Sequence, residues 1–229
     1  MTFKSPDNIK KALSASETLE IETSDIQLLL DKKGLNSLLF TEPFSKLCFT
    51  CSAVSEFLRR GTVIYIDLDT VFTSYVRKGI FPISADAKDL LIYLPAANEF
   101  EEMLGDICST INSRIDLIVM DSLNSFYHLY DGIRIGPLNH LLSSYVSLLL
   151  NHSITFSSTL LVTSMIRHKK RKEWILAPSS KRLIESKSSV VLMADLLGGN
   201  LTISLLKHGQ LQNGSAKLLL RKGQIPIVP

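Results

Sequence analysis

Thr62-Val63-Ile64-Tyr65-Ile66-Asp67-Leu68 is an apolar run broken only by an acid near its end. Such a run reads as a strand buried on both faces, and strands of that kind belong to parallel sheets held between helices. Asp116 to Asp121 (DLIVMD) repeats the pattern further along. Upstream, Leu35 to Phe40 is strand-like, Glu42-Pro43 marks a turn, and Leu47 to Arg60 has helical spacing that stops at Gly61. Downstream, Leu90 to Leu94 predicts a short strand. Phe100, Met103, Leu104, Ile107 and Ile111 fall on one face of a helix over Asn98 to Asn112. Leu138 to Leu150 predicts a Leu-rich helix and Ser158 to Ser164 another strand. Val190 to Ala194, Leu201 to Lys207 and Ala216 to Arg221 are short runs between Gly-Gly and Asn-Gly turns, which predicts an antiparallel finish. The expected fold is α/β: a mainly parallel sheet flanked by helices, with a C-terminal antiparallel β-hairpin region. Residues 34–229 form its core domain. Residues 1–33, polar and mixed in charge, are expected to be an N-terminal extension with one short amphipathic helix and little core.

Composition bounds the function classes. The 229 residues are 45% hydrophobic and 21% charged, as in an ordinary globular protein with a sizeable core. A net charge of +3 is too small to identify a polyanionic partner by itself. Cys48, Cys51 and Cys108 are too few for a disulfide framework, and no signal peptide is evident at the start, so a cytoplasmic setting is expected, nuclear if the source is eukaryotic. No run approaches the roughly 18 apolar residues of a membrane span, and no membrane partner is expected.

Four stretches, in order, resemble the core domain of the RecA/RadA recombinase and KaiC-like ATPase superfamily. Tyr65 to Phe72 (YIDLDTVF) is similar to the family strand that delivers a catalytic acid, and Leu117 to Ser122 (LIVMDS) to its Walker B strand. Leu160 to Ser164 (LLVTS) is similar to the strand before the second DNA-contacting loop, and Lys207 to Leu220 to the C-terminal hairpin. The resemblance covers Gly34 to Leu220 and implies a RecA-like fold. It places Asp121 where the family holds Mg²⁺ through water and Asp69 where it has an activating glutamate.

The phosphate loop departs from that pattern. A working loop reads G-x-x-x-x-G-K-[ST]: its glycines let backbone N–H groups wrap the phosphates, its lysine reaches the β and γ oxygens, and its hydroxyl ligates Mg²⁺. Here the matching stretch is Phe40-Thr41-Glu42-Pro43-Phe44-Ser45-Lys46-Leu47. Only Lys46 survives. Phe40 and Ser45 replace the glycines and make positive φ costly. Pro43 lacks an N–H, Glu42 sets a negative charge beside the expected anion, and Leu47 cannot ligate metal. Lys46, Asp69 and Asp121 are therefore read as a degenerate nucleotide site, with no catalytic residue and no cofactor.

Arg167-His168-Lys169-Lys170-Arg171-Lys172, followed by Trp174 and then by Lys181-Arg182 after a Pro-Ser-Ser turn, is the sharpest local feature. In a loop after a buried strand, such a cluster attracts phosphodiester backbones and releases their counterions; Trp174 could stack an unpaired base. Basic runs are more often plain solvated surface, but this one occupies the position of the family's DNA-contacting loop. Arg134 lies in the segment matching the family's first such loop. Cys48-Phe49-Thr50-Cys51 has zinc-like spacing without a second pair of ligands, so two small buried residues on one helix face are expected. The histidines are scattered, and Ser122 lacks the glycines of a nucleophile elbow. Phe126, Tyr127 and Tyr130 read as a core or subunit contact.

The resemblance thus implies a non-catalytic, recombinase-paralog-like pseudo-ATPase. It would bind DNA, single-stranded more than double-stranded, or RNA through the basic loop, in a homo- or hetero-oligomer with another RecA-like protein in recombination or repair. Family members with lost Walker motifs serve that way in the Shu complex, and others form the tRNA-engaging ring of Elongator. An ATPase sharing a composite site with a partner subunit is the alternative from the enzyme class.

Overall fold

The computed structural model describes residues 21–23, 26–81, 83, 88–96, 99–130, 132–169, 173–176, 178–197, 200–209 and 215–218. The strands are β1 (Ile21–Thr23), β2 (Leu35–Phe40), β3 (Thr62–Asp67), β4 (Leu90–Tyr93), β5 (Ile115–Asp121), β6 (Thr159–Lys169), β7 (Glu173–Leu176), β8 (Ser188–Leu197), β9 (Asn200–Lys207) and β10 (Ser215–Leu218). The helices are α1 (Pro43–Phe57), α2 (Val71–Arg77), α3 (Phe100–Thr110), α4 (Leu123–Leu129), α5 (Ile135–Phe156) and α6 (Pro178–Lys187), with a 3₁₀ turn at Ile26–Leu29. One sheet runs in the order β1-β10-β9-β8-β2-β6-β5-β3-β4, with β7 paired to β6. From β8 to β4 the neighbours are parallel; β9 is antiparallel to β8 and β10 to β9. The α/β class and the mainly parallel sheet with an antiparallel finish are therefore present.

Strand alternation sorts the core onto two faces. Val63 and Tyr65 of β3, Leu117 and Val119 of β5 and Leu161 of β6 point to the side covered by α1 and α2. Ile64, Ile66, Ile118, Met120, Leu160 and Val162 point the other way, under α3, α4 and α5. Helix α1 is buried along almost its whole length, from Ser45 to Val54 and again at Phe57. It lies between the sheet and the 3₁₀ turn, and its small residues Ser45, Cys48, Cys51, Ser52 and Ala53 suit a helix enclosed on two sides. Cys48 and Cys51 both sit inside, and burial pushes the Cys48 thiol up to about 11, as expected of inert packing residues.

Four expectations are corrected. Part of the N-terminal extension is core: Ile26, Leu29 and Leu30 are buried, and Glu56 of α1 accepts hydrogen bonds from the Ile26 and Gln27 amides at 3.0 and 3.4 Å. Here β1 adds a strand parallel to β10. Val190 to Ala194 belongs to β8, which is parallel to β2, so the antiparallel region starts only at the β8–β9 pair. The basic segment is not wholly a loop, because β6 continues through Arg167, His168 and Lys169 and pairs with β7. Pro178-Ser179-Ser180 is the first turn of α6 rather than a free turn, since proline suits the opening of a helix as well as it suits a turn. Phe126 is fully buried against Phe100 and Tyr145, a core contact.

Candidate functional site

Lys46, Asp69 and Asp121 converge at the carboxyl ends of β3 and β5, beneath the start of α1. The Lys46 ammonium donates to Asp69 Oδ2 at 2.8 Å and lies 2.9 Å from Asp121 Oδ1, with 0% of the residue exposed. Its position follows from the local chain. Only Thr41 and Glu42 separate the end of β2 from Pro43, the first residue of α1. Lys46 is then already inside the helix, and its side chain turns in over the sheet, 5.5 Å from the centre of the Phe40 ring. Ser45, in the place of a glycine, donates from its hydroxyl to the carbonyls of Glu42 and Ala194. Leu47, in the place of a metal-ligating hydroxyl, is buried in the core at 2% exposure.

Around this pair the polar groups are closely matched. Asp121, fully buried, accepts from Tyr65 Oη at 2.5 Å and from Thr163 Oγ1 at 2.6 Å. Tyr65 is stacked on Phe72 with ring centres 3.7 Å apart. Asp69 stands on the turn into α2, where Thr70 takes φ 61° and the Val71 amide donates to Asp69 Oδ1 at 3.1 Å. Asp67 accepts through Oδ2 from the amide and hydroxyl of Thr73, at 2.8 and 2.6 Å, while its Oδ1 is buried without a hydrogen-bond partner.

Charge is distributed accordingly. Burial alone disfavours the Lys46 ammonium, but the attraction of Asp121 and Asp69 outweighs it and holds the pKa above the ordinary lysine value. Burial also pushes Asp121 up, against the pull of Lys46. Burial pushes Asp67 up to about 7, despite the two hydrogen bonds from Thr73, with Asp121 and Asp69 adding to the rise. A proton on Asp67 lowers the negative charge of the cluster.

The pH dependence follows. An unfolded aspartate titrates near 3.9, so the folded chain binds the Asp67 proton more tightly. The stability this lends is complete below about pH 4 and declines as pH rises through 7. Asp67→Asn, which carries no charge at any pH, is expected to be more stable than the parent at pH 8 by roughly 1–2 kcal/mol. Its advantage should shrink toward pH 5, as read by urea unfolding at both pH values; equal stability of the two proteins at pH 8 would refute it.

The site does not fit a nucleotide. A connection of two residues cannot wrap a triphosphate in backbone N–H groups. Asp67, Asp69 and Asp121 do bring carboxylate oxygens within 4.8 Å of one another, but an ammonium already bridges two of them. Sequence reading singled out Lys46, Asp69 and Asp121, and the fold brings all three together. It overlooked Asp67, Tyr65 and Thr163. The period-2 spacing of Tyr65 and Asp67, opposite Ile64 and Ile66, was the available signal that the two share a face.

The basic residues lie elsewhere on the same edge. Strand β6 pairs with β5 as far as Val162 and with β2 as far as Met165, and from Ile166 to Lys169 its partner is β7. A two-stranded ribbon thus outruns the parallel sheet at its carboxyl edge. Arg167, His168 and Lys169 are in its outgoing leg, and Trp174 is in the returning leg, in register with His168. Lys170, Arg171 and Lys172 lie outside the described residues. Lys181 and Arg182 are exposed on α6, with Lys181 3.7 Å from Glu185, and Arg134 is exposed at the start of α5. Among the described residues no helix is long and apolar enough to cross a membrane. No protein-family model matches this chain, and no curated protein matches it significantly.

Proposed function

We propose that this chain is a RecA-like pseudo-ATPase that binds nucleic acid through the β6–β7 ribbon, as an accessory subunit to another RecA-like protein in recombination or repair. The observation that carries the reading is the Lys46 ion pair. Lysine and acid, 75 residues apart and aligned only by their resemblance to the Walker A and Walker B positions, meet at 2.9 Å. That meeting supports descent from a nucleotide-binding arrangement, and the two-residue connection supports its loss. What is left at the carboxyl edge of the sheet, where open α/β sheets bind their ligands, is a ribbon rich in arginine and lysine, the chemistry that phosphodiester backbones select. A composite ATPase is less well supported, because both acids it would use are already neutralised from within.

Two titrations test the reading. Fluorescent ATP with Mg²⁺ should show no saturable binding to the purified chain; saturation would end the pseudo-enzyme half. Gel-shift titrations with single-stranded DNA, duplex DNA and tRNA, side by side at one stated salt concentration, should show binding, strongest for single-stranded DNA. Failure with all three would end the nucleic-acid half.

A further inference from the structure

The ribbon leaves the sheet at a point where β6 has lost its β5 neighbour, and a small polar group closes the gap. Asn124 of α4 accepts through Oδ1 from the Met165 amide at 2.6 Å and from the Ser164 hydroxyl at 3.2 Å. The Ser164 and Ser180 hydroxyls are 2.9 Å apart, and both residues are fully buried. Ser164 stands just before the outgoing leg, and Ser180 lies in the first turn of α6, just after the returning leg. On the opposite face of β6, Thr163 is tied to Asp121.

We infer that Asn124, Ser164 and Ser180 form a root clamp that fixes both legs of the ribbon to the sheet, and that Asn124 is a positioning residue for nucleic-acid binding. Asn124 supplies the acceptor that a strand beside β6 would otherwise supply to the Met165 N–H, and a buried N–H left without one is costly. Ser164 and Ser180 then stop the two legs from separating. Thr163 is held by Asp121, which is itself paired with Lys46, so the hydrogen bonds at the root form without a bound ligand. This rests on the nucleic-acid reading for its purpose, but the clamp itself is a property of the free protein.

The test has two arms on the full chain. In amide hydrogen exchange, Asn124→Ala should speed exchange at Met165 and along Ile166–Lys169 and Glu173–Leu176 by about tenfold or more, while β3 and β5 stay protected. Asn124→Asp, which keeps the acceptor, should restore protection at Met165. In a single-stranded DNA titration, Asn124→Ala should weaken affinity about five- to tenfold, the equivalent of one or two lost hydrogen bonds. The slope of log affinity against log salt should stay unchanged, because no phosphate contact has been removed. Unchanged exchange at Met165 and the ribbon overturns the clamp. Faster exchange with unaltered affinity overturns the positioning role. If the parent chain binds no nucleic acid, the functional reading fails while the exchange arm still decides the clamp. Should Asn124→Ala not fold, Ser180→Ala is subject to the same two readouts.

Discussion

Lys46→Met is expected to lower the melting temperature by roughly 6–20 °C. Removing one partner of a buried ion pair typically costs about 3–5 kcal/mol, and in a chain of this size each kcal/mol corresponds to about 2–4 °C. The loss is large because it strands Asp121, fully buried, and removes the nearest cation from Asp69. A solvent-exposed lysine, by contrast, would change stability by no more than about 0.5 kcal/mol on replacement. Thermal unfolding by circular dichroism distinguishes the two. A Lys46→Met, Asp121→Asn double variant should regain much of the loss, since it removes both members of the pair together. A single variant melting within about 2 °C of the parent would show that the pairing contributes little.

Replacing Lys169, Lys170, Arg171 and Lys172 together by alanine is expected to reduce single-stranded DNA affinity about 100-fold near physiological salt. Each phosphate contact adds about 0.7 to the slope of log affinity against log salt on a single strand, so the slope should fall by up to about 3. An unaltered affinity in the same titration would remove the ribbon from the binding surface. A reduced affinity with an unaltered slope would assign the effect to the ribbon's shape instead of its charge.

The parallel core was legible because Thr62 to Leu68 and Asp116 to Asp121 are apolar on both faces, and few environments other than a covered sheet accept that pattern. Short elements were harder. Helix α2 follows a left-handed residue, Thr70, and runs only from Val71 to Arg77, too briefly for helical periodicity to declare itself. Helix α6 opens on Pro178-Ser179-Ser180, residues that serve a turn and a helix start equally well. The length of β6 was hidden because its last residues are charged and their strand partner, β7, is supplied only by the hairpin. Lys46 and Asp121 could be marked from the sequence one at a time. Their meeting depends on strand order, since β6 lies between β2 and β5, and no local pattern reports strand order. The raised pKa of Asp67 was out of reach for the same reason: it arises first from burial at the end of β3, with Asp121 and Asp69, brought close by the fold, adding to it.

The short link from β2 into α1 also sets the direction in which this chain can change. Placing glycines at Phe40 and Ser45 and a threonine at Leu47 would still leave only Thr41 and Glu42 between the end of β2 and Pro43. A longer loop would require inserted residues or an unwound first turn, and either would alter the stretch of chain that seats Lys46 against Asp69 and Asp121. On the proposed reading, point substitutions alone would not make a phosphate loop of this link, because its backbone length stands in the way more than its side chains do.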